Sequence, residues 1–342
     1  MDGHEHNSTP KWKSVGVKER RLRPIWLLVS YLPIVGFTAL VLVMPGITLL
    51  KMLGYPSLPT DQTPTSWNSL VEQTLVRCLS IVAFLVGTWI WRKFLWKRGM
   101  TSFGLGFHRR RFSELGIGLL AGAGLTIGIF VIEWLAGWIQ VRGLAWHVRP
   151  PQFVLMSIYL GVITAITAAA VEEILMRGYI LQTLEECFGL PAAVVISSAL
   201  FGVGHLISSL SSSLLLPGLF PGTGFLNPAA TGWANYVIPF SITLGGFMFA
   251  SAYLYSRSLW LPIGLHFAWN FFEYQVLALA GVSPERASVL ITDVTGPSFW
   301  VGLPNSSFGP EVGALGVLAM VFCIGMFWWL RSKKQRSDRQ AG

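Results

Sequence analysis

Apolar residues in this chain come in long blocks, not in the short alternations of a half-buried strand or the one-sided stripe of a soluble helix. Blocks can be read at 25–50, 70–92, 115–140, 153–180, 191–210, 237–256, 259–280 and 311–330. Each is about the length of ~20 residues that carries an α-helix across ~30 Å of hydrocarbon. The pattern predicts an all-α fold, a polytopic membrane helix bundle of about eight transmembrane helices. The third to seventh blocks are interrupted by Gly or polar residues. Longer connections rich in Gly, Pro, Ser or Thr are expected at 51–69, 211–236 and 281–310. No internal repeat and no low-complexity tract is evident.

Composition agrees. Of 342 residues, 53% are hydrophobic and 12% charged, and mean hydropathy is +0.57, which excludes an ordinary soluble domain. The net charge of +9 changes the picture through its placement. Lys11, Lys13, Lys18, Arg20, Arg21 and Arg23 precede the first block. Arg92, Lys93, Lys97, Arg98, Arg109, Arg110 and Arg111 lie between the second and third, and Arg331, Lys333, Lys334, Arg336 and Arg339 follow the last. The other connections hold few basic residues. This alternation predicts a solvated basic rim on one side and both termini in the cytoplasm, with the plasma membrane the expected location. It accounts for the charge without a nucleic-acid partner. The apolar stretch Ile25–Leu50 exceeds the h-region of a cleaved signal and is expected to remain as a membrane helix.

The expected organisation is a basic tail at 1–24, N-terminal membrane helices at 25–152, a central membrane core at 153–280, an extracytoplasmic loop at 281–310, a last membrane helix at 311–330 and a second basic tail at 331–342. Both tails are expected to be mobile. Cys78, Cys187 and Cys323 are too few and too scattered for a disulfide framework and read as packing residues. His4, His6, His108 and His147 fall in tails or loops and read as solvent-facing. Tryptophans near block ends, among them Trp89, Trp91, Trp96, Trp134, Trp138, Trp300, Trp328 and Trp329, read as an interfacial belt.

Against this apolar background the fourth block carries Glu172, Glu173 and Arg177. A carboxylate at membrane depth costs roughly 2.5–3.5 kcal/mol on insertion scales, so such groups usually mark function. Glu173 and Arg177, four apart, share a helix face and can neutralise one another. Glu172 is turned ~100° from Glu173, which aims it at another surface and leaves it without that cation. In the fifth block Phe201 and His205 share a face, and Gly202 and Gly204 between them permit close approach of another helix. In the seventh, His266 and Asn270 are again four apart and offer two donors toward one point. A free carboxylate, an imidazole beside it and a pair of donors are what addition of water to an amide requires: a base, a group to orient the water, and donors for the developing oxyanion. A single intramembrane His or Glu is as often a bonded structural residue; three paired motifs in three spans shift the balance to function.

These motifs, Glu-Glu-x-x-x-Arg at 172–177, Phe-x-x-x-His at 201–205 and His-x-x-x-Asn at 266–270, resemble in order and spacing those of the CPBP family, also called Abi or CAAX protease-like intramembrane proteases. The resemblance covers about 155–280. It implies an α-helical intramembrane endopeptidase acting on a membrane-associated peptide or protein. Characterised eukaryotic members remove the last three residues of prenylated CAAX proteins, and bacterial members process peptides or act in bacteriocin immunity. By motif position, Glu172 with His205 activates water, His266 and Asn270 hold the oxyanion, Glu173 and Arg177 support, and Phe201 packs beside the site. The family is described both as metalloprotease and as glutamic protease. Glu172, His205 and His266 would also make a His₂Glu zinc set. The metal-free reading, with no cofactor required, is favoured because Asn270 beside His266 suits an oxyanion better than zinc.

Two other classes compete: a non-catalytic adaptor or bacteriocin-immunity factor that keeps the polar cluster to bind a partner, and a proton-coupled transporter, disfavoured by the lack of a repeat. The chain has no Gly-x-Ser-Gly, Gly-x-Gly-Asp or His-Glu-x-x-His motif, which sets aside the other intramembrane protease chemistries.

Overall fold

A computed structural model describes residues 17–55, 66–106, 109–211, 234–280, 287–303 and 309–341. His4, His6 and His108, and most of the 211–236 connection, lie outside these residues. The apolar blocks form α1 (Val17–Met52), α2 (Trp67–Trp91), α3 (Arg109–Leu135), α4 (Pro151–Glu173), α6 (Leu190–Ser211), α7 (Ala234–Ser256), α8 (Trp260–Asn270) and α10 (Ala314–Ala341). The short α5 (Gln182–Phe188) extends α4, and a single turn, α9 (Ser298–Val301), precedes α10. Six helices are long and apolar enough to cross a membrane, and α6 and α8 supply two shorter apolar ones. The protein is an all-α, polytopic integral membrane bundle.

Local chemistry sets several boundaries. Ser66 and Ser69 form a reciprocal capping box that starts α2, and Pro151 occupies the first turn of α4, where its missing N–H costs nothing. Three helices pass directly into π-helix: α2 at Arg92–Trp96, α4 at Ile174–Leu181 and α8 at Phe271–Val276. Such widened turns are rare and cluster at functional sites. Here two of them begin immediately after Glu173 and after Asn270.

Four expectations need correction. The third block ends at Leu135, not 140, because Ile139–Leu144 (β1) pairs antiparallel with Leu290–Val294 (β2), giving a small sheet that alternation too short to register in the sequence did not announce. The final tail is not loose, since α10 continues as helix to Ala341. Arg92 does not lie on a solvated rim: it is fully buried, its guanidinium 4.1 Å from the Trp96 ring and 3.8 Å from Phe103, a desolvated cation–π arrangement. Trp91 and Trp96 are likewise core residues and not part of a belt. Trp91 meets Tyr31 and Tyr179 in an aromatic cluster that joins α1 and α2 to the π-turns after α4, where the Tyr179 hydroxyl donates to the Leu27 carbonyl at 2.6 Å. His147 is exposed as expected; of the cysteines, Cys323 is buried and Cys78 exposed.

The site is positioned by two close helix crossings. A Cβ added at Gly122 of α3 would lie 2.9 Å from the Cβ of Ala268 and 3.0 Å from the Trp269 nitrogen, and Gly118 and Gly264 are equally confined at the same crossing. Small residues let α3 press its backbone onto α8, the helix that carries His266. On the other side α6 meets α7 through Gly202, whose added Cβ would lie 2.8 Å from the Pro239 carbonyl, and through Gly246, 2.9 Å from Ser198. Gly204, also expected at a crossing, has only an ordinary contact with Met176.

Candidate active site

Five of the six polar residues singled out from sequence, all but Asn270, are joined by contacts between α4 with its π-turns, α6 and α8. Glu173 and Arg177 are bonded as expected, Nη1 to Oε1 at 3.0 Å, and both are essentially fully buried, at 0% and 1% side-chain exposure. The pair straddles the passage from α-helix to π-helix. Arg177 places its second nitrogen, Nη2, 2.8 Å from the Gly246 carbonyl of α7. Its guanidinium also lies 4.7 Å from the Phe201 ring and 5.2 Å from Phe249. A buried charge is tolerable when paired and hydrogen-bonded; Arg177 meets both conditions, and Glu173 meets them through Oε1 alone, its buried Oε2 having no hydrogen-bond partner among the described residues.

Glu173 is more than the counter-ion of Arg177. The same Oε1 stands 2.9 Å from Nδ1 of His266. Since that oxygen already accepts from an arginine, the imidazole meets it as a donor through Nδ1–H. His266 therefore turns Nε2 the other way, 3.8 Å from Oε2 of Glu172. The two adjacent glutamates point to different surfaces, as the helical rotation requires, yet one imidazole spans both. Spacing along a single helix could not reveal this, because the bridging ring comes from α8.

His205 approaches Glu172 from α6. Its Nδ1 is 2.8 Å from the carbonyl of Phe201 one turn earlier, an acceptor only, so Nδ1 carries the proton and Nε2 faces Glu172 Oε2 at 3.6 Å. The Nε2 atoms of both rings thus face one carboxylate oxygen, and that oxygen, though buried, has no hydrogen-bond partner among the described residues. A buried carboxylate oxygen left in this way calls for a proton or a water. This side is also the open one: the side chains of His205 and Glu172 are 21% and 16% exposed.

Phe201 packs edge-on to His205 with centroids 4.5 Å apart. Asn270 is half-buried one turn beyond His266, at the junction of α8 with its π-turns. The alternative zinc set has the right donor types, but among the described residues no group of three or more His, Cys, Asp or Glu is arranged to hold a metal ion.

Two features were not anticipated. Phe249 of α7 lies parallel to the His266 ring, centroids 4.4 Å apart and planes 17° apart. It belongs to no paired motif, so only the three-dimensional packing exposes it. The second is a buried carboxyl pair beyond the site, Glu273 in the π-turns after α8 and Glu311 just before α10, joined by a side-chain hydrogen bond. Burial raises the Glu311 pKa above the usual carboxylate range, and the Gly309 N–H donates to its Oε2 at 3.0 Å.

Fold and site together define a class: a polytopic helical membrane protein with a carboxylate–imidazole cluster between its helices. Residues 150–272, which carry all three motifs, match the family described as Rce1-like, type II CAAX prenyl endopeptidase Rce1-like. That match bears out the resemblance to the CPBP proteases over this segment, and the family matched is one of peptidases, hydrolases that act on peptide bonds. No curated protein and no solved structure matches the chain. The helices α1 to α3 and α10 lie outside the matched segment.

Proposed function

We propose that this protein is an intramembrane endopeptidase that hydrolyses a peptide bond near the carboxyl end of a prenylated, CAAX-type protein or peptide. The observation that carries this reading is the convergence on one under-bonded carboxylate oxygen, Glu172 Oε2, of His205 Nε2 at 3.6 Å and His266 Nε2 at 3.8 Å. A water held there would donate to Glu172 and His205. As its oxygen attacks the carbonyl carbon, a proton passes to Glu172, and the same carboxyl later returns it to the leaving nitrogen, so that water is divided between the two products. Asn270 supplies an N–H to the oxyanion. His266, with Nδ1–H committed to Glu173, donates from Nε2 when the ring carries its second proton. In that state Glu172, Glu173, Arg177 and His266 sum to zero charge, which suits a buried site. Glu173 and Arg177 support this arrangement, and no metal enters any step. The basic connections favour cytoplasmic termini, and prenylated tails are displayed on that side of the membrane.

The test is cleavage by the purified full-length protein in nanodiscs of a farnesylated peptide ending in a CAAX sequence, with the unprenylated peptide as control. Release of the last three residues is expected, unaffected by exhaustive dialysis against a chelator and abolished by Glu172→Gln with the melting temperature retained. Intact peptide beside folded protein would overturn the reading. Loss of cleavage on chelation, restored by zinc, would replace the metal-free mechanism.

A further inference from the structure

The groups around His266 fix two of its coordinates differently. The Nδ1 bond to Glu173, 2.9 Å long, anchors one atom of the ring but does not by itself hold the ring plane, and a swinging plane bends and weakens that bond. Its plane, and with it the direction of Nε2, needs a second constraint. Phe249 is placed to supply it: the ring is 5% exposed and lies parallel to the imidazole at stacking distance. Phe249 is itself held by Phe201 edge-on at 6.2 Å and by the Arg177 guanidinium at 5.2 Å. Arg177 in turn reaches the Gly246 carbonyl three residues before Phe249 on the same helix. Thus α7, which contributes no motif residue, holds both the plane of His266 and the arginine behind its carboxylate.

We propose that Phe249 is a positioning residue that sets the plane of the His266 imidazole and so aims Nε2 at the reacting carbonyl oxygen. A stacked aromatic pair of this kind contributes beyond its area burial and favours one ring orientation among several. A branched aliphatic side chain such as Leu fills much of the volume but presents no flat face. The role therefore predicts a dependence on planarity and not on bulk. The inference rests on the protease reading for its catalytic consequence and on geometry alone for the orientation itself.

Two measurements on full-length protein in nanodiscs separate these. The first is the hydrogen-bonded Nδ1 proton of His266, observed by NMR with ¹⁵N-histidine and assigned by its loss in His266→Gln. Phe249→Leu should broaden or abolish this signal while Phe249→Tyr retains it; an unchanged signal in Phe249→Leu overturns the proposal whether or not the enzyme cleaves the probe. The second is turnover of the farnesylated CAAX peptide. Phe249→Leu should lower kcat by about 10- to 100-fold, the scale of a misaimed catalytic group, with KM changed less than about twofold, and Phe249→Tyr should restore most of it. A Phe249→Leu enzyme with undiminished kcat, or a Tyr variant as impaired as Leu, would overturn it. Failure of the unmodified protein to cleave the peptide would sink the protease reading, while the NMR signal would still decide whether Phe249 orients the ring.

Discussion

The two halves of the site are built to opposite specifications. On the His266 side, Glu173, Arg177, Gly246 and Phe249 form a closed set with polar contacts of 2.8–3.0 Å and side chains that are almost wholly buried. On the His205 side, Glu172 and His205 stand 3.6 Å apart, partly exposed, and the Glu172 oxygen between the two imidazoles has no partner. The first half holds Glu173 Oε1 between two close donors and so fixes a geometry, although Glu173 Oε2 is itself buried without a hydrogen-bond partner among the described residues. The second makes no such close contact, and its unsatisfied oxygen, Glu172 Oε2, lies on the partly exposed side where a reacting molecule can complete the bonding. Rigidity and reactivity are therefore divided between adjacent residues of one helix.

The sharpest way to break this comparison is to exchange charge for amide on each side. Glu172→Gln should reduce peptide cleavage by about 10²- to 10⁴-fold, the range expected for losing a general base. Its melting temperature should stay close to the parent's, because the lost carboxylate makes no close bond. Arg177→Leu should do the converse first: it strands Glu173 as a buried charge and should cost about 3–5 kcal/mol of stability, read from unfolding in detergent. Equal destabilisation by the two changes would mean that the halves are not different in kind.

Much of this division was legible in the sequence because helical rotation is a local property. The four-residue step from Glu173 to Arg177 and the offset of Glu172 follow from 3.6 residues per turn, and the structure keeps the pair bonded. The placement of eight apolar blocks was equally legible, since hydrocarbon thickness sets their length. What sequence could not supply were contacts made between elements. Nothing near Glu173 indicates that a ring from α8 will bridge it to Glu172, nothing marks Phe249 out among many apolar residues of α7, and the burial of Arg92 depends on two aromatic rings closing over it. The β1–β2 pairing joins segments some 150 residues apart and has no local signal.

A smaller effect tests whether the rigid half depends on helices outside the matched segment. Gly122→Val on α3 would drive a side chain into the backbone of α8 near Trp269. Overpacking of this kind costs about 1–3 kcal/mol, and displacement of α8 should lower cleavage as well. Gly124→Ala on the same helix, where an added Cβ meets nothing within 4 Å, should leave both stability and activity unchanged. If the two variants behave alike, α3 is not a brace for the catalytic helix.

The mildest prediction concerns Glu311, which extends the comparison to carboxyls that have each other in place of a cation. Glu173 is buried with Arg177 as its counter-ion; Glu273 and Glu311 are buried together, their described partners being the Gly309 N–H and the Trp269 side chain, and one of the two must carry a proton to donate to the other. Burial holds the folded-state pKa of Glu311 above its unfolded value of about 4.3. The folded state then binds the proton more tightly than the unfolded chain, so this contribution to stability is complete below the unfolded pKa and declines as pH rises toward and through the folded one. The decline should be at most about 1.4 kcal/mol per pH unit for one proton. Glu311→Gln keeps a hydrogen-bonding group without the proton equilibrium, so stability followed from acid to neutral pH should fall in the parent and be flatter in the variant. A parent curve with the same slope as the variant would show that the pair does not hold its proton in the fold, and burial alone would then not distinguish it from the ion-paired glutamate of the site.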